Sequence, residues 1–238
     1  MSLPKPFYEH DSITIFHADC RDILPEISQV DLLLTDPPYG VNWQGRKRTM
    51  RHGQMLDKII GDDGSLDITE CLRLSLKCLR RGRHVYIFGN PFIDELPLCK
   101  PTTLIWDKQI VGVGDLTSAW GKSHEEILFA VYEISQRNRE LGYGNLTARL
   151  RKGSVLRCQR KHSEQVRQHP TEKPVEILRQ MIESSSMLGE IVLDPFMGIG
   201  STLVACRMES RKAIGIEIEE KYCEIAAKRL EQEVFDFA

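Results

Sequence analysis

Short apolar runs along the chain alternate with stretches whose apolar residues recur every three or four positions. The first run, Ile13 to Phe16, reads as a strand and ends in His17-Ala18-Asp19-Cys20. A short helix over roughly Arg21 to Ile27 leads into Leu32-Leu33-Leu34, which reads as a buried strand. Asp36-Pro37-Pro38-Tyr39-Gly40 follows, and two prolines cannot continue a ladder, so that strand ends there. Leu66 to Leu79 is amphipathic, with Ile68, Cys71, Leu72, Ser75 and Leu79 at helical spacing. Arg80-Arg81-Gly82 supplies a basic last turn and a glycine stop. His84 to Phe88 is the next strand, broken by Gly89-Asn90-Pro91, and a shorter helix is expected over Phe92 to Leu98. Thr102 to Trp106 and Glu126 to Tyr132 are further strands.

The pattern lapses over Ser135 to Gln168 and then resumes. Thr171-Glu172-Lys173-Pro174 opens a helix whose apolar face is Val175, Leu178, Met181 and Ile182, and Gly189 stops it. Ile191 to Asp194 is a strand, residues 195–202 a turn, and a helix runs from about Ser201 to Met208. Ala213 to Ile216 is a strand ending at Glu217, and Tyr222, Ile225, Ala226 and Leu230 mark the buried face of a last helix. Strands alternating with helices predict an α/β fold with right-handed crossovers. The seven expected strands make a mostly parallel sheet with helices on both faces, plus a short basic insertion. Residues 1–134 and 169–238 are expected to be two halves of one domain, with 135–168 inserted between them.

Composition agrees with one large domain or two small ones, since 238 residues at 41% apolar suffice for a sizeable core. The seven cysteines are scattered and form no CxxC pair, so neither a zinc ribbon nor a disulfide framework is expected, and no metal is assigned. Reduced thiols point to a cytoplasmic protein. No apolar leader and no run near 18 apolar residues is present, which disfavours secretion and membrane spanning.

Net charge is only −2, but its distribution is uneven. Ser135 to Gln168 carries nine basic residues against two acids, +7 in all, which suits contact with a polyanion or a solvated insertion. Arg46, Lys47, Arg48, Arg51 and Lys58 lie in a loop-like stretch with Trp43 and His52, which suits either a solvated loop or a flap on phosphates.

Two turns carry candidate chemistry. In open α/β sheets ligands bind at the carboxyl ends of strands, and there the chain has Asp36 and Tyr39. Asp19 ends a neighbouring strand, where it also suits a helix N-cap. Strand, glycine turn, helix, strand and acid over 191–217 form a nucleotide-type unit. Gly198 and Gly200 let a ligand approach the backbone, and Glu217, 19 residues beyond Gly198, can accept from ribose hydroxyls.

Asp36-Pro37-Pro38-Tyr39 together with Asp194-Pro195-Phe196-Met197-Gly198-Ile199-Gly200-Ser201-Thr202 resembles the β class of S-adenosylmethionine-dependent DNA amino-methyltransferases. His169-Pro170-Thr171-Glu172-Lys173-Pro174 resembles the motif before the cofactor strand in that class. The likeness covers about residues 13–232, excluding 135–168; Ile199 and Ser201 replace residues more common in the family.

The resemblance implies an α/β Rossmann-like fold whose last sheet strand is antiparallel, and methylation of adenine N6 in a flipped-out base of double-stranded DNA. It implies Asp36, Pro37, Pro38 and Tyr39 at the reacting base, with Tyr39 stacking on it, a contact of about 1–3 kcal/mol. For S-adenosylmethionine it implies Asp19, Cys20, Asp36, Thr171, Lys173, Asp194, Phe196, Gly198, Gly200, Ser201, Thr202 and Glu217. Thr171 and Lys173 would hold the methionine end. Expected DNA contacts are Arg46, Lys47, Arg48, Arg51, Arg149, Arg151, Lys152, Arg157, Arg160 and Lys161. A homodimer is a further family expectation. N4-cytosine methylation, an RNA target and a silent DNA- and cofactor-binding module remain alternatives. The missing G-x-G-x-x-G tells against a dinucleotide oxidoreductase.

Overall fold

The structure, a computed structural model, describes residues 3–38, 66–89, 96–110, 119–133, 152–159 and 172–232. The strands are β1 (Tyr8–His10), β2 (Ile13–His17), β3 (Val30–Thr35), β4 (Leu79–Phe88), β5 (Leu98–Asp107), β6 (His124–Tyr132), β7 (Val155–Arg157), β8 (Ile191–Asp194) and β9 (Lys212–Glu217). The helices are α1 (Cys20–Ile23), α2 (Ile68–Cys78), α3 (Val175–Ser185), α4 (Ser201–Met208) and α5 (Glu220–Gln232). Among the described residues the strands form one sheet in the order β1-β2-β9-β8-β3-β4-β6-β5-β7. From β2 to β4 all neighbours are parallel, and β6 runs antiparallel between β4 and β5.

β3 is central because both of its faces are covered. Leu32 and Leu34 belong to the core shared with α3, α4 and α5. Leu33, on the opposite side, belongs to the core shared with α1 and α2. All three are fully buried, worth about 1.5–3 kcal/mol each in transfer from water. Alternating side chains of one apolar run thus hold helices on both faces.

The sheet has nine strands rather than the expected seven. β1 pairs antiparallel with β2, but its Tyr8-Glu9-His10 is largely exposed and too short to show a period. β7 lies inside the segment expected to be an insertion, and it pairs in parallel with β5. Leu156 is buried there, and the Trp106 indole donates to the Cys158 carbonyl at 2.9 Å.

Two other elements differ from expectation. α2 stops at Cys78, and Arg80-Arg81-Gly82 belong to β4 rather than to a helical last turn. β4 bulges there, with Leu79 opposite Val30 and His84 opposite Leu32, and Gly82 absorbs the bend at φ +82°. Arg80 and Arg83 both pair with the buried Asp31, so charges that look solvated are strand-borne. β5 begins at Leu98, where the end of a helix was expected, and its register shifts between Cys99 and Thr102 at Pro101. Most of that expected helix lies outside the described residues. α1 is a single turn followed by a 3-10 turn over Leu24–Glu26 at Pro25, which explains its early end.

Candidate active site

β3 and β8 are neighbours, with Leu33 opposite Leu193, so the two turns that follow them share one edge of the sheet. Thr35 donates its hydroxyl to Asp194 Oδ1 at 3.0 Å, and Phe196 donates its backbone N–H to the same oxygen at 3.2 Å. Thr202 also bonds the Asp194 carboxyl. Asp194 is buried, and burial pushes its carboxyl up to about 6 against these donors. It braces the turn from beneath. Ser201 and Thr202 are likewise buried at the start of α4.

Asp36 follows directly on β3, and Pro37 is buried beside it. The Lys173 ammonium lies 2.6 Å from Asp36 Oδ2 and 3.4 Å from Glu125 Oε2. Lys108 lies 2.7 Å from the other oxygen of Glu125. Lys173 also sits 4.9 Å from the centre of the Phe88 ring. Burial works against the charge of Lys173, but Asp36 and then Glu125 outweigh it and hold the amine above its usual range. Burial opposes the Glu125 charge too, yet Lys173 and Lys108 hold its carboxyl below the usual range. Lys173, expected at the methionine end of a cofactor, is therefore a partner of Asp36. Glu125 and Lys108 carry no sequence signal beyond strand termini, because charges there read as solvated.

The glycine turn has its own acid. Gly198 donates to Glu217 Oε2 at 3.0 Å, and Glu219 donates to Oε1 at 2.9 Å. Glu217 is half-buried, and burial pushes its carboxyl up to about 7, opposed by these N–H groups. Gly198 has φ +52°, and among the described residues the space where a Cβ would stand is open. Gly200 has φ +76°, and a Cβ on it would lie 2.8 Å from Ala226 Cβ, so this position packs α4 against α5. Arg229 on α5 donates to the Ile199 carbonyl at 2.8 Å and pairs with Glu172 at 3.0 Å. It ties the turn to the segment before α3. A lone arginine on a last helix offered no means of finding it.

Phe196 is partly buried and packs on the core beneath α1 and α2. Asp19 accepts from the Arg21 backbone N–H at 2.9 Å and is 2.6 Å from the Arg21 guanidinium, which holds its carboxyl low. It is thus an N-cap. Across the sheet, His17 pairs with Glu217, so Asp19 follows the strand next to the ribose candidate. Cys20 is buried against Cys71, and that contact together with burial pushes its thiol up. Lys152 and Arg157 pair with Glu183 and Asp107. Tyr39, Arg46, Lys47, Arg48, Arg51, Arg149, Arg151, Arg160, Lys161 and Thr171 lie outside the described residues.

Comparison with known proteins identifies the family and the fold. A family model described as DNA methylase matches residues 30–228. The type II methyltransferase M2.DpnII of Streptococcus pneumoniae is 26% identical over 97% of this chain and 94% of its own length. The DNA adenine methyltransferase YhdJ of Escherichia coli strain K12 is 28% identical over 94% of this chain and 84% of its own. Among solved structures, the M1.HpyAVI–SAM complex superposes with a TM-score of 0.65 at 22% identity, covering 92% of this chain and 98% of that one. The cytosine-N4-specific PvuII DNA methyltransferase superposes with a TM-score of 0.66 at 15% identity, covering 98% and 93%.

Proposed function

This chain belongs to the N6/N4 DNA methylase family, and from that premise we propose that it methylates adenine N6 in double-stranded DNA with S-adenosylmethionine as donor. The observation that carries the reading is the Thr35–Asp194 hydrogen bond, which joins the Asp36 turn to the glycine turn across adjacent strands. The choice of adenine is supported by the Asp at the head of the Asp36-Pro37-Pro38-Tyr39 box and by the similarity to an adenine methyltransferase.

The residues suit the donor. Open space over Gly198 leaves room for a ligand against the backbone. The carboxylate of Glu217 has about four acceptor positions, of which the backbone N–H groups of Gly198 and Glu219 take two and that of Ile218 draws on a third. The remainder accepts from the ribose. Phe196 is then the adenine face, and Asp19 reaches the adenine amine only while sharing its carboxylate with Arg21. The turn through Gly198 and Gly200, followed by Ser201 and Thr202, holds the methionine end together with Thr171.

When bound, S-adenosylmethionine supplies an electrophilic methyl group on a sulfonium. The residues of the chain have to prepare the acceptor. The lone pair of the target amine is delocalised into the base and is a poor nucleophile. Asp36 and the Pro37 carbonyl accept from its two protons, which favours a pyramidal nitrogen and aims the lone pair. Asp36 is also the nearest acceptor for the proton that nitrogen releases after methylation. Lys173 holds the Asp36 carboxylate in position, so the protein acts chiefly by alignment. Tyr39 stacks on the flipped base, and the basic stretches around Arg46 and Arg149 contact phosphates.

The test is incubation with methyl-labelled S-adenosylmethionine and duplex DNA, digestion to nucleosides, and identification of the labelled one. N6-methyladenine is expected. Label in N4-methylcytosine overturns the choice of base. No label in DNA or RNA, with cofactor binding intact, identifies a silent module.

A further inference from the structure

We infer that Glu125 is a positioning residue of this reaction: it holds the Lys173 ammonium against Asp36 and thereby fixes the acceptor that meets the target amine. The inference rests on the methyl-transfer reading above. Lys173 immediately precedes Pro174, the residue that caps α3. Its four-carbon stem leaves the ammonium several positions against a single carboxylate. Two carboxylates from different strands define one. Asp36 approaches from the end of β3 at 2.6 Å and Glu125 from the start of β6 at 3.4 Å.

Glu125 is itself held from both ends. Lys108, just past β5, takes its other oxygen at 2.7 Å. Its backbone pairs with Trp106 on β5, a fully buried residue whose indole is anchored on the Cys158 carbonyl. The row Lys108, Glu125, Lys173, Asp36 alternates in sign and sums to zero. Such a row leaves no buried charge uncompensated, whereas removing one member does. Phe88 on β4 presents its ring face to the ammonium at 4.9 Å. Asp194, beneath Thr35, is the next carboxyl on that side and bonds to the turn rather than to Lys173. Glu125 therefore acts on Asp36 through Lys173.

The test uses the whole chain with lysines labelled with carbon-13 at Cε, the Lys173 signal being assigned by its loss in Lys173→Arg. In Glu125→Gln the titration midpoint of Lys173 is expected to fall by about one pH unit or more. In Glu125→Asp it should stay near that of the native chain. With labelled donor and duplex DNA, Glu125→Gln is expected to lose about 10²-fold in kcat with KM for DNA little changed, and Glu125→Asp to recover much of it. An unaltered Lys173 midpoint in Glu125→Gln overturns the assignment, whatever the turnover. An unaltered kcat overturns it too. If Glu125→Gln fails a melting check, Glu125→Ala is titrated in its place. A native chain that transfers no methyl refutes the proposed reaction, while the Lys173 titration still decides whether Glu125 holds the Lys173 ammonium.

Discussion

Gly198 donates its backbone N–H to Glu217 Oε2, so the turn proposed to approach the cofactor is held by the acid proposed to bind its ribose. Burial pushes that acid up to about 7. Ribose hydroxyls donate to a carboxylate, so the ionised form is the one that binds. Affinity for S-adenosylmethionine is expected to be level above about pH 7 and to fall by up to about tenfold per pH unit below it. Glu217→Gln should bind more weakly and without that dependence. Calorimetric titration across the range checks both, and a native profile that stays level down to about pH 5 would remove Glu217 from the binding step.

Thr35 and Asp194 supply a stability prediction with a sign. The Asp194 carboxyl titrates near 6 in the fold, above its usual value of 3.8. The folded state therefore holds a proton that the unfolded chain has lost, and this contribution to stability declines as pH rises from about 4 to about 6. Thr35→Val removes a donor that serves the ionised form most. It should destabilise by about 1–3 kcal/mol at neutral pH and by less near about pH 4. Urea unfolding at both values measures it. An equal cost at both would mean that the hydroxyl matters through packing alone.

How far the sequence could be read depended on what each element buries. β2, β3, β8 and β9 are apolar runs buried in the sheet, so their period survives in the sequence. β7 contributes one buried residue, Leu156, and its other support is the Trp106 indole from another strand, which no local pattern records. The start of β4 is hidden because Arg80-Arg81-Gly82 looks like a basic helix end, although Asp31 takes Arg80 together with Arg83 further along the strand. The site divided in the same way. Asp36, the glycine turn and Glu217 stand at the ends of legible strands. The partnership of Lys173 with Asp36, and Glu125 behind it, depends on strand order and stayed hidden.

Gly198 and Gly200 should respond differently to alanine. At Gly200 a Cβ would stand 2.8 Å from Ala226 Cβ at φ +76°, so Gly200→Ala must push α5 away or unwind the turn. A loss of about 1–3 kcal/mol is expected, read as a lowered melting temperature. At Gly198 a Cβ meets nothing within 4 Å among the described residues, and there only φ +52° opposes it, for about 1–2 kcal/mol at most. Its Cβ would occupy the space proposed for the cofactor, so Gly198→Ala should lose cofactor affinity beyond what its stability explains. Equal affinity in Gly198→Ala and the native chain would place the ligand elsewhere.

Asp36→Ala separates the proposed acceptor from the turn proposed for the cofactor. The Asp36 carboxylate pairs with Lys173, whereas the glycine turn is held by Glu217, Asp194 and Arg229. Removing Asp36 leaves Lys173 on Glu125 and the turn intact. Methyl transfer should fall by about 10²–10³-fold, as when a group that aligns the transition state is lost. Affinity for S-adenosylmethionine should change by less than about threefold, below 1 kcal/mol. Asp36→Asn keeps one acceptor oxygen but directs an amide toward Lys173 or the target amine, so it should lie between the two. Single-turnover transfer with labelled donor, beside calorimetry on the same variants, gives both quantities. Loss of cofactor binding in Asp36→Ala would assign this carboxylate to the cofactor pocket and leave the target amine without its acceptor.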